Sequence, residues 1–418
     1  MNRYFDTNAP ALLTDLKIAN RRTVLSAFRR GAVCSASDLS VQTGISRPTV
    51  VKCIRFFQDN GLLVSLGKGK STATGGKRPE NYALSQKRYF LTLAMWPQEL
   101  RAYLYTIGHE LLGSIVFPEP LPETPSEASR QAATLAARLL REQCVLPSDV
   151  CAVSVSTSGT VDRETNTLMF SSHTPLWGTR VHLLDDLHAL FGDETPIYME
   201  NAGKMCARPF LLDHELRGKR VLVLFTTWGV SSCFIERGHI MNGPNSLIGE
   251  VGHMTIDPSD PEPCGCGSRG CFERLVSPAR VRRMVREAAA DYPASPLPLQ
   301  GEQLSIPALF AASEGGDALA QAISRRLAGI FALVLRNISL VFDPDCVVFQ
   351  GDYASADEIF RTTLREEMAG FHYYPSGIPF EIRADHRPLA GMDAEGAFIA
   401  LDHLYFSNPA LYRDQAAD

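Results

Sequence analysis

A chain of 418 residues, 45% hydrophobic and 21% charged, has the composition of a globular protein and is too long for one ordinary core, so two or three domains are expected. No apolar run approaches the roughly 18 residues of a membrane span, and the opening MNRYFDTNAP lacks the apolar core of a signal peptide. Membrane insertion is not expected, and the expected location is the cytoplasm. The formal net charge of −5 conceals a division, because residues 1–90 carry +10 and the remainder −15, the balance of a polyanion-binding module joined to an acidic body.

The basic head reads as three short helices and a hairpin. Asn20–Arg30 places Val24, Leu25 and Phe28 on one side and ends at Gly31. Ser35 or Ser37 opens a second helix over Asp38–Thr43, stopped by Gly44. Ser46 is positioned to cap a third, with Pro48 tolerated in its first turn because a proline there sacrifices no hydrogen bond. Val50, Ile54 and Phe57 recur at helical spacing and face inward, leaving Arg47, Thr49, Lys52 and Arg55 outside. An apolar stripe that docks a helix while its N-terminal polar residues meet base edges and phosphates is the arrangement of a DNA recognition helix, with Ser46, Arg47, Thr49 and Lys52 as the reading face. After the Asn60-Gly61 turn, Leu62–Leu66 and Tyr82–Leu84 flank a glycine-rich loop bearing Lys68, Lys70, Lys77 and Arg78, a wing able to reach phosphate or the minor groove.

The body alternates strand-like and helix-like stretches, an α/β pattern. Phe90–Ala94, Arg101–Tyr105 and Leu111–Val116 read as an antiparallel meander, Ser126–Arg141 as a helix, and Val150–Val155 as a buried strand ending in the turn Ser156–Asp162. Further strands are expected at Ile197–Met199, Val221–Thr226, Ser231–Ile235 and Cys346–Phe349, with helices at Ser324–Arg336 and Gly396–His403.

Between the later strands, His253, Cys264, Cys266 and Cys271 fall within nineteen residues. Three thiolates and an imidazole complete the tetrahedral shell of Zn²⁺ and leave no position for water, so a closed structural zinc site is expected. The glycines between them let the backbone turn tightly. Cysteines 34, 53, 144, 151, 206, 233 and 346 have no paired or motif spacing and read as buried apolar side chains or free thiols of a reducing compartment.

Gly249-Glu-Val-Gly-His253 joined to Cys264-Gly-Cys-Gly-Ser-Arg-Gly-Cys-Phe-Glu273 resembles the ROK family of repressors, open reading frames and sugar kinases, and the resemblance spans nearly all of residues 20–405. It implies a winged helix-turn-helix domain over residues 1–86 and, over 87–418, a two-lobed, actin-like (ribonuclease H-like) α/β body. It also implies zinc on His253, Cys264, Cys266 and Cys271, and a sugar pocket lined by Asn201, Glu250, His253 and Glu273. The head is similar to that of the regulator branch, the xylose and N-acetylglucosamine repressors.

The kinases of the family present Asn-Asp where this chain has Asn201-Ala202, and a methyl group cannot accept the proton of a sugar hydroxyl. Their first phosphate loop corresponds to Met95–Glu99 here, and their second to Thr227–Cys233, where Trp228 and two serines replace small residues. His173 stands where many relatives use a sugar-contacting asparagine. The expectation is therefore no enzyme but a transcriptional regulator, a repressor of carbohydrate genes bound to a double-stranded operator as a homodimer or homotetramer and controlled by a sugar or sugar derivative. Two other readings stay open: a DNA-binding sugar kinase, and a regulator controlled through its body by a protein partner.

Overall fold

The computed structural model describes residues 9–68, 78–370 and 380–414. The chain opens with α1 (Ala9–Ser26), β1 (Cys34–Ser35), α2 (Ala36–Thr43), α3 (Arg47–Asp59), β2 (Leu63–Lys68) and β3 (Glu80–Leu84). The first helix begins earlier than its apolar pattern indicates and stops at Ser26, with Arg29–Gly31 forming a separate 3₁₀ turn. Ser35 caps α2 in a reciprocal box with Asp38, and Gly44 ends it at φ +70°, a backbone that glycine adopts without a Cβ clash. Ser46 stands at the start of α3 but does not cap it; its hydroxyl meets that of Thr49 at 2.9 Å instead of a backbone N–H. The two-residue β1, unanticipated in the sequence, pairs with β3 and makes the hairpin a three-stranded sheet in the order β1-β3-β2.

Val24, Leu25, Phe28, Leu39, Val50, Ile54 and Phe57 are buried together. Their core continues without a break into Phe90, Tyr105, Phe398, Leu401, Phe406 and Tyr412. The head is thus packed against the end of the chain rather than tethered to it.

The first lobe comprises β4 (Tyr89–Trp96), β5 (Glu99–Thr106), β6 (Leu111–Phe117), α4 (Pro125–Glu142), β7 (Val150–Thr157), the small hairpin β8 (Thr160–Asp162) and β9 (Thr167–Phe170), α5 (Asp185–Phe191) and β10 (Ile197–Asn201). The second comprises α6 (Ala202–Ala207), β11 (Arg220–Thr226), β12 (Val230–Glu236), β13 (His239–Ile240), α7 (Phe272–Val276), α8 (Pro278–Ala288), α9 (Ile306–Glu314), α10 (Ala318–Phe342), β14 (Cys346–Gly351), α11 (Glu358–Ala369), β15 (Glu381–Asp385) and α12 (Leu389–Ser407).

The sheet orders are β10-β7-β4-β5-β6 and β13-β12-β11-β14-β15. Each starts with an antiparallel meander and adds two strands parallel to its first strand. The same topology therefore occurs twice, which is the duplicated plan of actin-like sugar-kinase folds. Ligands of such open α/β sheets collect at the carboxyl ends of the parallel strands. α12 crosses both lobes, packing on β4 and β7 and on α6. α10, at 25 residues, is long and apolar enough to cross a membrane, but it buries Leu319, Leu327, Phe331 and Leu335 in the second-lobe core.

Candidate effector cavity and metal centre

Asn201 ends β10 and caps α6: its Oδ1 accepts from the N–H groups of Gly203 and Lys204 at 2.9 and 3.3 Å, and its Nδ2 donates to the Gly159 carbonyl at 2.9 Å. The residue before it, Glu200, is 1% exposed and closes the end of the strand, accepting from the Tyr198 hydroxyl at 2.9 Å beside Arg163 and Arg208 at 3.8 and 3.7 Å. Ala202 follows, buried at the start of α6. Asn201 therefore lines the site but spends its amide oxygen on the helix cap.

Gly249 brings the next group in. At φ +111° it lies so close to β12 that a Cβ would sit 2.3 Å from the Ser232 carbonyl, and its own carbonyl accepts from Ser232 N–H at 2.7 Å. This anchors the turn that delivers Glu250 and, three residues on, His253, with 3.9 Å between the carboxylate and imidazole Nε2. Glu273 enters from α7, its Oε2 accepting from Val230 N–H at 2.9 Å. Burial pushes the Glu250 carboxyl up and the His173 imidazole down.

These groups line one cavity of about 410 Å³, together with the β7–β8 turn, Met169 and Phe170 of β9, His173, Phe225, Trp228 and Leu247. All four residues expected to contact sugar, Asn201, Glu250, His253 and Glu273, are brought together there. His173, Phe170, Trp228 and Leu247 were not among the expected contacts. His173 and Trp228 could have been found, since both stand at departures from the family pattern; the apolar residues carry no chemical signature in sequence.

The metal candidates converge equally well. His253, Cys264, Cys266 and Cys271 place one ligand atom each within 4.8 Å of all the others. His253 Nδ1 lies 3.6 Å from Cys264 Sγ, and the Cys266 and Cys271 sulfurs lie 3.7 Å apart. Bond lengths of about 2.3 Å to sulfur and 2.0–2.1 Å to nitrogen give tetrahedral edges of about 3.8 Å for S–S and 3.6 Å for N–S. The donor set therefore fits Zn²⁺ in both chemistry and spacing. Gly270 makes this possible, since at φ +65° its backbone passes so near Asp257 that a Cβ would lie 1.7 Å from that carbonyl.

Trp228, on the cavity wall, packs on Trp96 with ring centroids 5.1 Å apart and planes tilted by 50°, and Phe225 lies 6.1 Å from Trp228. Trp96 ends β4, and Trp228 lies in the β11–β12 turn.

In the head, Ser46, Arg47 and Lys52 are exposed and Thr49 half-buried on the outward side of α3, while Val50, Ile54 and Phe57 face inward. Lys68 and Arg78, at the ends of the hairpin, are also exposed. Lys70 and Lys77 lie outside the described residues.

Residues 113–398 match the ROK family. Over 93% of this chain and 97% of its own length, the xylose repressor of Bacillus subtilis is 21% identical. The DNA-binding transcriptional dual regulator NagC of Escherichia coli is 22% identical over 85% of this chain and 87% of its own. A glucokinase of Thermotoga maritima is 28% identical over 52% of this chain and 69% of its own. A ROK transcriptional regulator described as a homologue of the E. coli Mlc protein shares the fold, with a TM-score of 0.71 at 18% identity across 94% of this chain and 99% of its own. Family match, duplicated topology and the cysteine-histidine motif agree, and the chain belongs to the ROK family.

Proposed function

We propose that this protein is a sequence-specific DNA-binding transcriptional regulator, a repressor of carbohydrate uptake or catabolism genes, whose affinity for its operator is set by a sugar in the cavity. Residues 1–86 are its winged helix-turn-helix domain, with α3 as the recognition helix, and residues 87–418 its sensor. The observation that carries this reading is the position of α12. One stretch of that helix packs on α6, whose first turn forms part of the cavity, so closely that a Cβ on Gly396 would lie 1.9 Å from the Met205 carbonyl. The following turns share a core with the head. A change of lobe geometry on ligand binding is thereby transmitted to the exposed cationic face of α3.

Zinc in the four-residue site serves structure and not chemistry, since its shell is complete. With Nδ1 given to the metal, the His253 imidazole would keep its Nε2 proton and present it to Glu250 and the cavity in one tautomer and pose. Two heads on a palindromic operator call for at least a homodimer. Sugar phosphorylation is disfavoured by the Ala202 methyl and by indoles in both phosphate loops.

Selection of duplexes from a randomised pool by the full-length protein, followed by operator titrations with a sugar panel, tests the proposal. An enriched palindrome whose affinity changes with one sugar supports it. Failure to enrich any sequence overturns the DNA-binding part. An operator complex that responds to no sugar but to a co-purifying protein transfers control to that partner.

A further inference from the structure

A second cavity, of about 1050 Å³, lies where the head meets the body. Its walls include Arg29 of the head, Arg163 of the β8–β9 hairpin, Arg208 just past α6, and α12 from Glu395 to Ser407. Its chemistry is unlike that of the effector cavity, which among the described residues is lined by Glu250 and Glu273 and by no lysine or arginine.

Two of the guanidiniums share one carboxylate. Glu200 Oε2 lies 3.8 Å from Arg163 and 3.7 Å from Arg208, beyond hydrogen-bond distance, and accepts instead from the Tyr198 hydroxyl at 2.9 Å. Glu200 Oε1 accepts from the Asn201 N–H at 2.9 Å. Arg208 Nη2 donates to the Tyr198 hydroxyl at 2.6 Å, while its Nε is buried without a hydrogen-bond partner among the described residues. A buried N–H of this kind is costly unless something accepts from it.

The lining carboxylates do not neutralise this pair. Asp402 is engaged by Arg29, and Glu395 acts on Arg387, which lies outside the cavity. Arg163 and Arg208 therefore carry one positive charge more than Glu200 offsets. His403 stands nearby: partial burial, then Arg29 and Arg208, push its imidazole below the ordinary value.

We propose that this cavity is a second ligand site, for the phosphate monoester of a small metabolite, whose phosphate is held by Arg163 and Arg208 with His403 beside Arg208. A monoester carries nearly two negative charges and three acceptor oxygens, so it can accept from two guanidinium forks at once. The volume corresponds to about 35 waters at the 30 Å³ each takes in the liquid, far more than a bare phosphate displaces. Leu211, Ile240 and Leu404 also line it and leave room for an organic group.

Calorimetric titration of the full-length protein with matched pairs tests this: glucose and glucose 6-phosphate, ribose and ribose 5-phosphate, adenosine and AMP, with inorganic phosphate and citrate alongside. At least one ester should bind tenfold or more tightly than its uncharged partner, inorganic phosphate and citrate. Arg163→Gln should weaken that ester tenfold or more, the loss expected for a hydrogen bond to a charged group, and Arg163→Lys should recover part of it. His403→Glu, which puts a carboxylate beside Arg208 at an exposed position, should weaken it as much and guards against misfolding of the arginine variants. Failure of every ester to bind with Kd below about 1 mM overturns the proposal. So does inorganic phosphate or citrate that binds as tightly as every ester. An ester bound equally by the parent, Arg163→Gln and His403→Glu sits elsewhere, the effector cavity included, and also overturns it. Operator binding and sugar response enter none of these outcomes, so the regulator reading stands or falls separately.

Discussion

The indoles of Trp96 and Trp228 lie with centroids 5.1 Å apart and planes tilted by 50°, and Trp96 Nε1 donates to Ser156 Oγ at 3.3 Å. One ring comes from the end of β4 and the other from the β11–β12 turn, so the contact joins the two lobes at the segments that resemble the phosphate loops of the family's kinases. Glycine loops serve phosphates because backbone N–H groups can approach them closely, and two indoles remove that approach. Restoring the missing carboxylate should therefore not restore catalysis. Ala202→Asp is expected to show no sugar-dependent release of ADP above background in a coupled assay. Turnover by that single variant would show that the stack is no barrier.

The metal site supports a second expectation. Cys266→Ser removes one of four ligands from a shell whose binding energy is also folding energy. Zinc content measured by mass spectrometry should fall from about one ion per chain to near none. Because Glu273 follows Cys271 by two residues and His253 belongs to both sites, any sugar response should fall with it. Retention of both metal and response in the variant would separate the two sites.

Much of this architecture was legible in the chain. Strands such as Val150–Thr157 and Arg220–Thr226 are built around short, mostly apolar runs, and the metal ligands are close enough in sequence for their types and spacing to identify the site. Helix ends were harder: α10 runs from Ala318 to Phe342 and not 324–336, since a helix buried on most sides loses the polar stripe that would mark its limits. Ser46 illustrates a different limit, because position before a helix does not decide whether a hydroxyl finds a backbone N–H or Thr49. The apolar lining of the cavity was invisible for a third reason. Phe170, Phe225 and Leu247 carry no chemical signature in the sequence, and only the fold brings them to one cavity.

Asp393 gives a pH dependence. It is fully buried on α12, where burial raises its carboxyl to about 7 from the ordinary 3.8, a shift partly opposed by a hydrogen bond with Ser156. The titratable groups that feel its charge, Tyr103 and Tyr105 of β5 and Cys206 of α6, are raised above their ordinary values, first by burial, and do not titrate in the same range. Between about pH 4 and pH 7 the folded chain retains a proton that the unfolded chain has released, so stability falls as pH rises through that window and levels off above it. The upper limit is on the order of 4 kcal/mol, from about three units at roughly 1.4 kcal/mol each. Asp393→Asn should flatten the decline and raise the midpoint of thermal unfolding at pH 8 relative to the parent. Parallel melting curves for the two proteins from pH 4 to 8 would exclude this role for Asp393.

On the DNA side, Arg47 and Arg78 should behave differently. Arg47 lies in the first turn of α3, at the position proposed to meet base edges, and Arg78 at the base of the hairpin. Loss of a base contact typically costs about 1–3 kcal/mol and relaxes specificity at one position, whereas loss of a phosphate contact weakens all sequences alike and lowers the salt slope by about one. Arg47→Ala should therefore alter the preferred operator, and Arg78→Ala only the affinity and its salt dependence. Operator titrations at several salt concentrations, with single-base variants, distinguish these outcomes.

Arg29 links the head to the sensor. Its Nε donates to Asp402 Oδ1 at 3.2 Å and its terminal nitrogen pairs with Oδ2, while its guanidinium lies 5.5 Å from the Phe406 ring. Asp402 lies on α12 nine residues beyond Asp393, and Phe398 between them packs on Phe90 at 5.6 Å. A ligand shifts the head only as far as it binds the two arrangements with different affinity, and a partly exposed pair of this kind is worth at most about 1 kcal/mol, or roughly a factor of five. Arg29→Ala should leave operator affinity without ligand within about that factor. The ratio of affinities with and without ligand should shrink. Asp402→Asn should produce the same shrinkage, and the double variant no more than either alone, since both remove one interaction. An unchanged ratio in all three would place the coupling between cavity and head in the apolar contacts of Phe398 and Tyr412 instead.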